Sequence, residues 1–190
     1  FEPKLAVVGM HLMESHGSTY REPLREYPNI CIMPTDKGDI GIAGAEYFNM
    51  IFNQLKSIVD VAVPDILIFH GDRQEALACA TIGLLENIPT IHIEGGETSG
   101  CVDDCIRHAT SKMSSFHFSC NDQATKILQS MGEPSDRIWC VGSPELDFYQ
   151  KNSVSWEEFK QRFDLSWDDL CISIVHTVSN NEVETKKIAG

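Results

Sequence analysis

Short runs rich in β-branched and aromatic residues alternate along this chain with longer segments whose apolar residues recur at three- and four-residue steps. That alternation narrows the fold more than any other feature, because parallel strands need a crossover long enough to hold a helix. The expected strands are Leu5 to Gly9, Ile30 to Met33, Ile66 to His70, Thr90 to Glu94, Phe116 to Cys120, Ile138 to Gly142 and Cys171 to His176. In "AEYFNMIFNQLKSIV" the residues Phe48, Ile51, Phe52, Leu55 and Ile58 form one stripe, which predicts an amphipathic helix. "RQEALACATIGLLEN" carries Ala and Leu throughout, as a helix packed tightly on a sheet requires, and Asn87 and Pro89 stop it. The expected class is therefore α/β, a parallel sheet with helices on both faces.

A length of 190 residues allows one well-buried domain, or one domain and the start of another. Near residue 150 the character changes: "QKNSVSWEEFKQRFDLSWDDL" is polar and reads as a connection, with Ser155 placed to cap a short helix. Residues 1–150 are thus expected to form an amino-terminal domain, and 151–190 a linker followed by the first strand of a second, truncated domain. The chain begins without Met, nearly inside a strand, and "NNEVETKKIAG" reads as a helix cut short, so a fragment of a longer protein is expected. No apolar run approaches the roughly 20 residues of a membrane span. A formal charge of −13 argues against nonspecific binding to nucleic acid or anionic lipid. Seven cysteines, several inside apolar runs, fit reduced thiols, and with no secretory signal visible a cytoplasmic protein is expected.

In open parallel sheets, ligands bind beyond the carboxyl ends of the strands, where helix N-termini present unpaired N–H groups. Asp72 follows "ILIFHG", Glu94 ends "TIHIE" and His176 ends "CISIVH", so three ionisable side chains from three strands face one edge. Gly95 and Gly96 let the chain turn sharply after Glu94, Ser99 and Gly100 continue the turn, and a helix starts near Asp103. One of Asp103 and Asp104 is expected to cap that helix. Arg107 stands at i+4 and i+3 from the two aspartates, the spacing of an intrahelical ion pair. Cys101, Cys105 and His108 share a helical face, but a zinc site needs a second ligand pair that the sequence does not offer, so no metal is expected. His70, just before Gly71, reads as a core or loop histidine.

Three blocks, "HGDRQEALA", "HIEGGETSG" and "DDCIRHATSK", resemble in order and spacing the hydrolysing UDP-N-acetylglucosamine 2-epimerases, and weaker agreement runs from "GMHLMESHGSTYR" to "RIWCVGSPELD". The resemblance implies a Rossmann-like domain, the amino-terminal half of a two-domain GT-B architecture lacking its first strand–helix unit, with the active site in the interdomain cleft. It also implies hydrolysis of a UDP-2-acetamido sugar with inversion at C2, by elimination of UDP to a glycal and addition of water, without a cofactor. Asp72 and Glu94 would then transfer protons at the sugar, Asp103 or Asp104 would serve hydration, and Arg107 would steady the acids or the departing phosphate. His176 would approach the diphosphate, and Arg73, Gly95, Gly96, Glu97, Ser99 and His108 would line the substrate. A homo-oligomer is implied for the full-length protein. The chain departs from the family at "HTVSNN", which stands in place of a His-Pro opening, and it lacks the second domain's nucleotide loops. By itself it is expected to be inactive; UDP-diacetylbacillosamine stands beside UDP-N-acetylglucosamine as a substrate, and a non-catalytic nucleotide-sugar-binding module is the alternative reading.

Overall fold

The computed structural model describes residues 2–26, 30–32, 44–100, 102–167 and 170–172. The chain divides into two compact units, Phe1–Ser143 and Pro144–Gly190. The first holds β1 (Leu5–Val7), α1 (Arg21–Glu26), β2 (Ile30–Ile32), α2 (Gly44–Ala62), β3 (Leu67–His70), α3 (Gln74–Glu86), β4 (Thr90–Ile93), α4 (Val102–Met113), β5 (Phe116–Ser119), α5 (Asp122–Ser130) and β6 (Ile138–Cys140). Its described strands form two parallel sheets, β1–β2 and β3–β4–β5–β6. In the larger sheet each strand pairs with the next in sequence, and a helix crosses over between each pair, as the alternation predicts. Every carboxyl end of that sheet therefore lies at one edge.

The core forms where the α2 stripe meets α3. Tyr47, Ile51, Leu55, Ile58 and Val59 pack with Ala78 and Ile82 of α3 and with Val8 and Met13. Ala76, Ala78, Ala80 and Gly83 keep α3 slim enough to pack closely on α2, α4 and the sheet. A Cβ on Gly83 would stand 2.2 Å from Thr90 Cγ2. Asn87 ends α3 in the left-handed conformation, φ 56°, and its N–H donates to the Gly83 carbonyl.

Register assigns the faces of the larger sheet. Phe69, His92 and His117 lie in line, as do Ile68, Ile91 and Phe116 one residue earlier. The face bearing Thr90, His92, His117, Ser119 and Ile138 is buried, whereas Ile68 and Trp139 on the other are 58% and 45% exposed. Unusually for a parallel sheet, the buried face is thus largely polar.

The second unit contains α6 (Pro144–Asn152) and α7 (Trp156–Phe163). Ser155 caps α7, its Oγ accepting from the Glu158 N–H at 3.2 Å, as its place before "WEEF" predicts. Cys171 and Ile172 lie outside any regular element, and the rest of the strand expected at Cys171 to His176 is outside the described residues. Strands β1, β4, β5 and β6 stop one or two residues earlier than expected. After β1 the chain turns at Gly9 with φ 67°, and Glu94 with φ 66° leaves the β conformation. Among the described residues no helix is long and apolar enough to cross a membrane.

Candidate active site

Two clusters of polar side chains stand at the carboxyl edge of the larger sheet. The first is built around Arg107, on the inner side of α4 and only 8% exposed. One guanidinium nitrogen, Nη2, donates to the Asp72 carboxylate beyond β3. The other, Nη1, donates to Asp104 Oδ1 at 3.1 Å and to the Glu97 carbonyl at 2.9 Å. The intrahelical pair expected from the i+3 spacing is therefore present, but the same cation also reaches an acid 35 residues away. Both terminal nitrogens of Arg107 are thus engaged, by two carboxylates and one loop carbonyl.

Among the described residues, Asp104 accepts from the loop ahead of its helix and from no amide within it. Its Oδ1 accepts from the Ser99 N–H at 2.7 Å and the Ser99 hydroxyl at 2.8 Å, and its Oδ2 from the Gly100 N–H at 2.8 Å. These donors hold the Asp104 pKa down to about 2, with the Ser99 backbone N–H contributing most. The loop after Glu94 is thereby tied back onto α4. Asp103 lies half-buried in the first turn of that helix.

The second cluster centres on Glu94. Its N–H donates to the Phe118 carbonyl at 2.8 Å, and its left-handed backbone sends the carboxylate among residues that follow or end three neighbouring strands. Oε1 accepts from Cys120 Sγ at 3.1 Å and from Ser143 Oγ at 2.8 Å, and Oε2 lies 2.7 Å from His70 Nε2. Burial works to raise the pKa of Glu94, but hydrogen bonds from Cys120 and Ser143, with the His70 imidazole, outweigh it and hold it below the ordinary carboxylate value. A bulky residue at positive φ is disfavoured by roughly 1–3 kcal/mol and persists where its surroundings hold it.

His92 joins the two clusters to the scaffold. Fully buried, it lies with Nε2 2.8 Å from the Gly71 carbonyl and Nδ1 3.0 Å from Ser111 Oγ on α4. Burial lowers its pKa to about 4, so at neutral pH the ring is uncharged. Its two contacts then fix the tautomer: Nε2–H donates to Gly71, immediately before Asp72, and Nδ1 accepts from Ser111.

The glycine pair after Glu94 meets steric demands. A Cβ on Gly95 would stand 2.8 Å from Ser111 Oγ and 3.0 Å from His92 Nδ1, and one on Gly96, where φ is 86°, 2.3 Å from the Ala124 carbonyl oxygen. Glu97 receives a 3.3 Å hydrogen bond from Asn121 Nδ2, and Ser99 is exposed. A recess of about 180 Å³ opens beside Gly96, Glu97 and Thr98, bounded by Asn121, Gln123, Ala124 and Ile127.

Among the described residues, Arg73 and His108 bond to neither cluster. Arg73 is mostly exposed and turns toward Met10 Sδ and Glu75, at 3.3 and 3.5 Å. His108 is half-buried, with Nδ1 lacking a hydrogen-bond partner among the described residues. His176 and Cys101 lie outside the described residues, so neither the diphosphate contact nor the complete Cys101, Cys105 and His108 set is placed. Sequence reasoning missed Cys120 and Ser143, and it set His70 aside. The strand-end rule that found Asp72 and Glu94 finds these too when applied to β5 and β6.

Residues 1–189 match the family described as UDP-N-acetylglucosamine 2-epimerase. The chain is 40% identical to the UDP-N-acetylglucosamine 2-epimerase of Neisseria meningitidis serogroup B, across 94% of this chain and 47% of that protein. It is 36% identical to the hydrolyzing UDP-N,N'-diacetylbacillosamine 2-epimerase of Legionella pneumophila, across 97% of this chain and 50% of that one. The chain therefore spans about half the length of these curated relatives. A crystal structure of a Neisseria meningitidis UDP-GlcNAc 2-epimerase bound to UDP-GlcNAc shares the fold with TM-score 0.63 at 19% identity, over 87% of this chain and 46% of that one. Methanocaldococcus jannaschii UDP-GlcNAc 2-epimerase, in complex with UDP-GlcNAc and UDP, aligns with TM-score 0.60 at 19% identity, over 79% of this chain and 49% of its own. By sequence match and by fold, this chain belongs to the UDP-N-acetylglucosamine 2-epimerase family.

Proposed function

We propose that the complete protein is a hydrolysing 2-epimerase that converts a UDP-2-acetamido sugar, UDP-N-acetylglucosamine first, to the free manno-configured sugar and UDP. In the first half-reaction the C1–O bond to the diphosphate and the C2–H bond break, leaving a C1–C2 double bond. In the second, a proton adds to C2 on the opposite face and water supplies the oxygen at C1. A C2 hydrogen is weakly acidic, so departure of the diphosphate runs ahead of proton loss and an ionised carboxylate must stand close to C2.

Glu94 carries this reading. Hydrogen bonds from Cys120 and Ser143, with the neighbouring His70 imidazole, hold it ionised, and a strained backbone presents it at the carboxyl edge of the sheet. Asp72, the second proton-transfer group, follows the adjacent strand, its position set by Arg107 and the His92–Gly71 contact. Asp103 or Asp104, neighbours in the first turn of α4, serves the hydration half, Asp104 sharing Arg107 with Asp72. His176 would approach the diphosphate, and the nucleotide falls to the remainder of the protein. Identity of 36% to the Legionella pneumophila relative supports UDP-N,N'-diacetylbacillosamine as the alternative substrate.

The test is incubation of the complete protein with each UDP-sugar in D₂O. UDP release with one deuterium at C2 of the free sugar is expected. In Asp72→Asn and Glu94→Gln, turnover should fall roughly 10²–10⁴-fold with little change in thermal midpoint. Binding without UDP release from either sugar would make the protein a nucleotide-sugar-binding module and overturn the assignment.

A further inference from the structure

We infer that His70 is the proton-relay partner of Glu94, exchanging with solvent the proton that this carboxylate takes from the sugar. The inference rests on the 2-epimerase reading and deepens it.

The reaction itself sets the requirement. A UDP-sugar and water become a free sugar and UDP, whose newly exposed terminal phosphate, like other phosphate monoesters, ionises with a pKa near 6. One proton must therefore reach solvent in each turnover at neutral pH, and the carboxylate that received the C2 proton must be cleared before the next substrate binds. Glu94 is poorly placed to do this alone, since its side chain is only 18% exposed and Oε1 is occupied by Cys120 and Ser143. Its other oxygen, Oε2, lies 2.7 Å from Nε2 of His70, whose side chain is 46% exposed. Imidazole is the side chain that gains and loses protons readily near neutral pH.

The steps balance. The C2–H bond breaks, its electrons go to the forming C1–C2 double bond, and the proton passes to Glu94. The carboxylic acid gives that proton to Nε2 of a ring protonated on Nδ1, restoring the carboxylate and leaving an imidazolium. The imidazolium loses a proton to water or buffer, and the neutral ring regains its starting tautomer by exchange with water. No oxidant, reductant or metal is required.

The test uses the complete protein and its UDP-sugar with His70→Gln, which keeps a hydrogen-bond donor near Glu94 but carries no proton, and with His70→Ala, which opens space for a small base. In both, kcat is expected to fall roughly 10- to 100-fold with KM within about twofold of wild type. Added imidazole should restore much of the kcat of His70→Ala and leave wild type and Glu94→Gln unchanged. The thermal midpoint of His70→Gln should match wild type, separating this loss from misfolding. Near-normal turnover in His70→Gln would reduce the contact to one that orients Glu94, and absence of rescue in His70→Ala would equally overturn the relay. Failure of the wild-type protein to release UDP would overturn the functional reading, and the relay with it.

Discussion

Replacing Gly95 with alanine tests the packing beneath the candidate site. The new Cβ would meet Ser111 Oγ at 2.8 Å and His92 Nδ1 at 3.0 Å, and both distances are too short to persist. His92 is pinned through Nε2 to Gly71, so the Ser111 hydroxyl must move, and the 3.0 Å hydrogen bond between Ser111 and His92 is lost. A buried ring nitrogen without a partner costs about 1–3 kcal/mol, and burying one methyl returns about 0.8 kcal/mol. The net loss is about 0.2–2.2 kcal/mol, up to roughly 9 °C in thermal midpoint for a chain of this size. Ser111→Ala removes the same hydrogen bond, so Gly95→Ala should cost less in that background. Denaturant titrations of the two single variants and the double variant should give a coupling of at least about 0.5 kcal/mol. Additivity within about 0.3 kcal/mol, or a Gly95→Ala variant as stable as wild type, would show that the glycine is not held there by the His92–Ser111 contact.

Two further predictions concern pH. Because burial lowers the His92 pKa from 6.5 to about 4, the unfolded chain binds more protons between those values. This stabilisation is full above about pH 6.5 and falls toward pH 4, by on the order of 3 kcal/mol. Urea titrations at pH 7 and pH 4.5 should show a smaller loss for His92→Gln than for wild type, and equal losses would refute the assignment. Asp104, held down to about 2 chiefly by the Ser99 backbone N–H, contributes stability above its unfolded value near 4 that disappears as pH falls through about 2. Asp104→Asn should flatten acid unfolding in that window when followed by circular dichroism, and an unchanged acid limb would show that the loop contacts do not favour the ionised form.

Much of the fold follows local pattern. The β/α alternation, the α2 stripe and the end of α3 at Asn87 are all visible in runs of fewer than twenty residues, because helix and strand periodicity is a near-neighbour property. The strand-end rule also places Asp72 and Glu94 correctly along the chain. What it misses depends on long separations: Arg107 to Asp72 across 35 residues, His92 to Ser111 across 19 and Ser143 to Glu94 across 49. No spacing within "IHIEGGETSGCVDDCIRHA" indicates which aspartate Arg107 meets, or that Gly95 is constrained by a hydroxyl one helix away. The turn at Glu94 is hidden for another reason. A glutamate at positive φ runs against its own local preference, and the surrounding hydrogen bonds that hold it exist only after β3, β4, β5 and β6 have paired.

The same contacts explain why the buried face of the larger sheet is polar. Thr90, His92, His117 and Ser119 on the sheet, with Arg107, Thr110 and Ser111 on α4, occupy positions that apolar side chains would fill more simply. An apolar layer gains stability from burial but is non-directional, so α4 could settle in several nearly equivalent ways. Hydrogen bonds impose direction: Ser111 to His92, His92 to Gly71, and Thr90 to Ser115 at the base of β5 hold the helix at one height and rotation. That placement determines where the Arg107 guanidinium lies between Asp72 and Asp104. A polar layer of this kind is costly when only partly satisfied, and it limits the exchanges the sheet can tolerate. The acids at the edge are therefore positioned from beneath, by groups that need not touch a ligand.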